Sequence, residues 1–136
     1  MPDKKIEIET ELMKKCPINN TSEIISKKFT VLILRNIFYT GHKRFNEFLE
    51  NIEGINHKTL ALRLKEMVNE GLLERRVFAA SPLRTEYHAT EKGRGLLPVL
   101  EQMAAYSLKY CSKEVLTDGK PRTYSETYGI RPCPLD

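Results

Sequence analysis

Residues 56–71 read NHKTLALRLKEMVNEG, and this stretch decides the fold. Asn56 stands where a helix cap belongs, just before a run of helical period, because its side-chain oxygen can accept from an open N–H of the first turn. Gly71 ends the run and supplies the left-handed conformation that terminates helices. At 100° per residue, Leu60, Leu64, Met67 and Val68 share one stripe, with Ala61 and His57 at its edge. Lys58, Leu62 and Lys65 take the opposite side, flanked by Thr59 and Glu66. A leucine placed opposite the core has two readings. It is one of the lone wet leucines common on protein surfaces, or it is an apolar group for thymine methyls in a major groove.

Upstream, residues 29–39 (FTVLILRNIFY) are too apolar for a surface helix and too short to span a membrane. They predict a largely buried helix that starts as early as Thr21, with Thr21 or Ser22 as its cap. Gly41 breaks it. Arg44 to Asn51 then forms a short helix with Phe45, Phe48 and Leu49 on one face, and Glu53-Gly54-Ile55 makes a turn. Helix, short helix, glycine turn and capped helix is the helix-turn-helix pattern. Downstream the period changes to alternation. Residues 72–78 (LLERRVF) and 84–89 (RTEYHA) are strand candidates joined by residues 79–83 (AASPL), a hairpin loop with proline at the turn. A hairpin directly after a recognition helix is a wing, which lies along the DNA backbone or reaches a minor groove whose negative potential favours arginine. Arg75, Arg76 and Arg84 are the candidates. Alternation sends Arg75 and Arg76 to opposite faces, so at least one of the three is an ordinary strand arginine. The expected fold is mainly α with a small β-hairpin, a winged helix-turn-helix.

The charge pattern agrees. The 136 residues carry a net +4, with 22 Lys and Arg against 18 Asp and Glu. Between Ser26 and Lys65 eight bases meet only Glu47, Glu50 and Glu53, so the excess sits in the middle third. Such a stretch is a solvated basic face or a polyanion site, and its helix-turn-helix context favours the second. No apolar run reaches the length of a membrane span, and the start lacks a secretory signal, so a cytoplasmic location is expected. Three cysteines without a CxxC pair indicate neither a zinc site nor a disulfide framework. No paired carboxylates, metal cluster, glycine-rich phosphate loop or GxSxG makes a case for an enzyme, and no cofactor is implied. A hydrolase using Cys16 with His42, His57 or His88 gains no support from spacing.

A succession of fragments resembles the HxlR-type winged helix-turn-helix regulators, relatives of the MarR group. It runs through Cys16-Pro17-Ile18, Lys28 to Arg35, Arg44-Phe45-Asn46-Glu47-Phe48, Gly54 to Leu60, Arg63-Leu64, Gly71-Leu72, Glu86-Tyr87 and Thr90-Glu91-Lys92-Gly93. The resemblance spans roughly Cys16 to Tyr110. It implies a homodimer on a pseudo-palindromic double-stranded DNA operator, one recognition helix per half-site. Phe29 stands where the family usually has Trp, Lys27 where it has Gly, and Ala89 where it has Leu. Leu62 lies where polar residues are common, so the target sequence is this chain's own. On this reading Lys58, Thr59 and Leu62 approach base edges beside His57. Lys28, Arg44, Arg63, Arg76 and Arg84 contact mainly phosphate.

Cys16 occupies the family's characteristic N-terminal cysteine, which in some members senses oxidants or electrophiles. A sensing thiol needs thiolate character and access; Lys14 and Lys15 precede it, whereas an inert buried thiol is the plain alternative. Residues 1–15 read as a dimer-contacting segment, with a weak helical pattern, and 16–90 as the DNA-binding domain. Residues 91–111 read as a dimerisation helix behind the Thr90 cap. There Leu97, Leu100, Ala104 and Leu108 form a stripe that Leu96, Met103 and Tyr110 widen, part facing a second subunit and part packing back. Pro98 should kink or divide that helix. Residues 112–136 read as an extended tail anchored by Tyr124 and Tyr128. Two rival functions remain: a winged-helix protein-interaction module, and a weakly specific DNA-compacting protein.

Overall fold

The computed structural model describes residues 10–79 and 82–129. A 3-10 turn at Thr10–Leu12 precedes α1 (Pro17–Ile25), with Cys16 as its extended N-cap and Pro17 in the first turn, where a missing N–H costs nothing. Most of the weak helical pattern expected for the N-terminal segment lies outside the described residues.

The single long helix expected over Thr21 to Tyr39 is two helices. After α1 the chain turns through Ser26 and Lys27, and α2 starts afresh at Thr30 (Thr30–Arg35). Phe29 holds the break at φ 74°, a left-handed conformation that is unusual for a bulky residue. Tertiary contacts impose it. Arg63 Nε donates to the Lys28 carbonyl at 2.8 Å, and the half-buried Phe29 ring packs on the core. α2 then widens into a π-helical turn, Asn36–Thr40, before Gly41 ends it.

α3 (Phe45–Asn51) buries Phe48 completely, and Glu47 accepts from the Lys43 and Arg44 amides at 3.1 and 3.0 Å to close its N-terminus. α4 (His57–Asn69) begins as its sequence dictates, with the Asn56 side chain accepting from Thr59 N at 2.8 Å. Leu60, Leu64 and Met67 are buried with Ile33, Leu34, Phe48 and Ile52, the centre of the core. Removing a large side chain there costs about 2–5 kcal/mol.

β1 (Leu73–Phe78) and β2 (Arg84–Ala89) form an antiparallel pair whose register runs from Leu73↔Ala89 to Phe78↔Arg84. Thr90 pins the base of this hairpin. Its hydroxyl donates to Gly71 O at 2.5 Å, its N–H to Leu72 O at 3.0 Å, and it caps α5 (Glu91–Arg94) by accepting from Gly93 N. A Cβ on Gly93 would lie 2.1 Å from Leu72 O, so no side chain fits at that corner.

Pro98 does divide the last long element. α5 ends at Arg94 and α6 (Leu97–Tyr110) restarts with Pro98 in its first turn. Leu100, Ala105 and Leu108 turn into the chain's own interior, while Met103, Tyr106 and Tyr110 stay exposed. Over residues 112–129 the expected extended tail is replaced by two short helices, α7 (Ser112–Val115) and α8 (Tyr124–Tyr128). Tyr124 is fully buried, its hydroxyl 2.7 Å from that of Tyr39, and Tyr128 stacks on it with ring centroids 4.6 Å apart. Long-range burial stabilises the helical turn that a Pro- and Gly-containing sequence does not announce.

Candidate nucleic-acid interface

The outer side of α4 carries the expected residues. Lys58, Ala61 and Lys65 are exposed, and Leu62 is 51% exposed, opposite the buried stripe. Thr59 is half-buried at the start of the helix, where its amide is held by Asn56. The His57 ring lies 4.7 Å from that of Phe45, which fixes the N-terminus of α4 against α3. α4 therefore presents a rigid, mixed basic and apolar ridge.

Arg63 is placed differently from Lys58 and Lys65. Its side chain is only 13% exposed, pairs with Glu66, and donates to the Lys28 carbonyl. Burial opposes ionisation of Glu66, yet the hydrogen bond and charge of Arg63, with Lys27 at 3.5 Å, hold its carboxyl below the usual value. Arg63 thus ties the α1–α2 junction to α4. Lys28 itself remains exposed, its ammonium 5.0 Å from the centre of the Phe29 ring. What Arg63 fixes is where Lys28 stands.

A second basic cluster forms around the base of the wing. Glu86 on β2 is 4% exposed, and three side chains converge on it: His88 Nε2 at 2.9 Å, Arg84 Nε at 3.3 Å and Lys43 Nζ at 3.9 Å. The His88 hydrogen bond holds this carboxyl below the usual range; burial opposes that, and the Lys43 and Arg84 charges reinforce it. Tyr87 N donates to Lys43 O at 2.7 Å, so backbone as well as charge joins the wing to the start of α3. Arg84 also lies 4.9 Å over the Phe78 ring. Lys43 and Arg84 remain about half exposed. Arg44 is exposed next to Lys43, and Arg76 is exposed and paired with Glu74 at 3.2 Å. Arg75 is exposed across the ladder from Tyr87.

Sequence reasoning counted Lys43 among the bases without singling it out, and gave Glu86 no role. The signal was a glutamate facing Arg76 in the ladder, with Arg84 and His88 two residues to either side on the same strand. Cys16 is exposed and Cys111 half-buried. The charge of the neighbouring Lys15 is engaged by Glu23. Among the described residues no group of three or more His, Cys, Asp or Glu could hold a metal ion, and no helix is long and apolar enough to cross a membrane.

A capped helix with an open basic ridge, preceded by a short helix and followed by an antiparallel hairpin, defines a winged helix-turn-helix. The model of the HxlR-like helix-turn-helix family matches residues 24–115, and the chain belongs to that family of transcriptional regulators. It is 35% identical over 97 residues to the HTH-type transcriptional regulator YodB of Bacillus subtilis, covering 71% of this chain and 86% of YodB. The structure of reduced YodB superposes with a TM-score of 0.62 over 71% of this chain and 95% of that one. The redox regulator HypR in its reduced form gives 0.65 at 31% identity, over 76% and 99%. An HTH-type regulator of Synechocystis, sll1512, is 36% identical over 88 residues, 65% of this chain and 64% of its own.

Proposed function

We propose that the chain is a homodimeric, sequence-specific DNA-binding regulator in which Lys58, Thr59 and Leu62 face base edges beside His57. Lys28, Arg44, Arg76 and Arg84 contact phosphate, joined by Lys43, while Arg63 acts through the Lys28 segment. The observation that carries this reading is the exposed ridge of α4, held rigidly by the Asn56 cap and the His57–Phe45 contact. A helix fixed that firmly can read a groove without ordering itself first.

The exposed apolar residues of α6, Met103, Tyr106 and Tyr110, together with Ile18 of α1, support the dimer. Two recognition helices then stand about 34 Å apart, one turn of DNA. Leu100 lies in the chain's own core, so Tyr106→Asp is the substitution that separates subunits without hollowing the domain. The reading carries the cytoplasmic location expected for a protein working on DNA, and it includes no catalytic role.

Exposed Cys16, at the start of α1, is the sensor in this proposal, supported by the likeness to the redox regulator HypR. The test is a gel-shift on the chain's own upstream DNA under excess nonspecific competitor, with and without diamide. A shifted fragment should survive competition, respond to diamide, and stop responding in Cys16→Ser. Loss of the shift under competitor indicates a compacting protein, absence of any shift a protein-interaction module, and an equal diamide response in Cys16→Ser an inert thiol.

A further inference from the structure

The base of the wing carries a pocket that the DNA-binding reading uses only in part. It has a volume of about 280 Å³ and lies among the π-helical turn, the approach to α3, the hairpin and α5. His42, Lys43, Arg76, His88 and Arg94 line it, and no Asp or Glu does. We propose that this pocket binds a free phosphate group, as inorganic phosphate or a small phosphomonoester, and that the bound anion competes with DNA for Lys43 and Arg76.

What already holds each group decides which donors are open. Arg76 Nη2 meets Glu74 at 3.2 Å, and His88 Nε2 meets Glu86 at 2.9 Å. Lys43 is 3.9 Å from Glu86, beyond hydrogen-bond reach, so its N–H groups have no partner among the described residues. Arg94 meets no carboxylate among those residues. Its Nη1 donates to the Ala89 carbonyl at 2.7 Å, which fixes the guanidinium and leaves its other donors open. His42 adds an imidazole N–H. Arg35 donates from Nε and Nη2 to Asn36 Oδ1 at 3.0 and 2.8 Å, so the buried amide turns its Nδ2 to His42. His42 Nδ1 accepts at 3.3 Å, and the ring hydrogen stands on Nε2. A guanidinium, an ammonium and an imidazole N–H thus share a wall that contains no carboxylate. A phosphate has three strong acceptor oxygens and up to two charges, enough to answer all three. A carboxylate has two oxygens, which one guanidinium occupies by itself.

The walls are set before any ligand arrives. His42 N donates to Asn36 O at 3.1 Å and closes the left-handed turn at Gly41, while Tyr87 N donates to Lys43 O at 2.7 Å. Phe38 and Tyr87, both packed on the core, complete the lining. Binding therefore orders little besides the Lys43 side chain. A cavity of about 150 Å³ already holds benzene, so this one takes a phosphate with room for the organic part of a monoester against the two rings. Lys43 and Arg76 are also the cations proposed to meet the DNA backbone, and an anion in the pocket neutralises them. This competition rests on the proposed DNA-binding function; the binding site itself does not.

Inorganic phosphate is the probe. Added to the full chain without DNA, with chloride keeping the ionic strength constant, it should shift the amide resonances of Gly41, His88 and Ala89 saturably. The dissociation constant should be on the order of 5 mM, the range expected for five heavy atoms. Acetate should bind at least about fivefold more weakly. Arg94→Gln should weaken phosphate by at least about fivefold, and Arg94→Lys should retain most of the binding. Lys109→Gln, at an exposed base outside the pocket, should change nothing. Phosphate that shifts none of these amides, acetate that binds equally well, or folded Arg94→Gln that binds as tightly as the wild type overturns the site. Should Arg94→Gln fail to fold, the acetate comparison in the wild type decides. With DNA added, phosphate at constant ionic strength should lower the affinity of the wild type at least about threefold and leave that of Arg94→Gln unmoved. An unchanged wild-type affinity despite phosphate binding overturns the competition. A loss of about tenfold in Arg94→Gln before any phosphate is added assigns the pocket to a backbone phosphate of the DNA and overturns the role of the free ligand. Absence of DNA binding in chloride alone is the separate failure of the DNA reading, and the site then stands or falls on the amide shifts.

Discussion

Arg63 on α4 and Arg84 on the hairpin are both bases on elements proposed to face DNA, yet they are held in opposite ways. Arg63 is spent internally, on a carbonyl and a carboxylate, and little of it reaches solvent. Arg84 leans on a buried carboxylate but leaves nearly half of its side chain exposed, beside Lys43 on the same anchor. Local partners, not the count of positive residues, decide which cations are available to a polyanion. In one region a base fixes a neighbour; in the other a buried acid aims two bases.

The largest effect expected from breaking this contrast is at Arg63. Arg63→Ala removes a charged hydrogen bond to Lys28 O and leaves that carbonyl without its donor, at about 1.5–3 kcal/mol, while Glu66 keeps Lys27 alone. Denaturant midpoint and DNA affinity should fall together. Lys58→Ala should lower affinity with stability unchanged within about 0.5 kcal/mol. Equal stability of the two variants would show that Arg63 is as free as Lys58.

Glu86→Gln comes next, and its sign is the informative part. Removing a negative charge from a DNA-binding surface should, on charge counting alone, tighten binding and steepen its salt dependence. If Glu86 positions Lys43 and Arg84, binding should instead weaken, by about three- to tenfold, with a shallower salt slope. The variant should also differ in acid. Because the folded carboxyl lies below the ordinary 4.5, its contribution is fully present above that pH and is lost as pH falls through the depressed value. Wild-type stability should therefore drop more steeply below about pH 4.5 than that of Glu86→Gln, a difference that urea titrations at pH 6 and pH 3.5 would measure.

The smallest effect belongs to Leu62→Ala. An exposed leucine contributes little to folding, so stability should stay within about 0.5 kcal/mol, while discrimination at one base pair relaxes about fivefold. A binding assay on operators with single substitutions measures this. Uniform weakening over all sequences would assign Leu62 no reading role.

The parts of this molecule legible in its sequence are those governed by neighbours in the chain. Asn56 caps α4 through the amide of Thr59, only three residues on, the stripe of Leu60, Leu64 and Met67 follows from helical period, and the hairpin alternation places β2 at its observed bounds. Gly71 and Gly54 mark left-handed turns because glycine adopts them readily. Phe29 takes the same conformation against its own preference, where packing of its ring and the bond from Arg63, far along the chain, to Lys28 O hold the segment. The tail helix depends on a hydroxyl pair 85 positions apart. The site divides in the same way. Exposure of Lys58 and Leu62 follows from the wheel, whereas the commitment of Arg63 and the gathering of Lys43 around Glu86 need the folded chain.

The corner at Gly93 gives the molecule a mechanical property. With the α5 backbone lying against Leu72 O and Thr90 bonded to Gly71 and Leu72, the base of the wing and the approach to α6 form a welded joint. Moving α5 would mean moving the base of the wing with it, and the single methyl group of an alanine at position 93 would have to push the two apart.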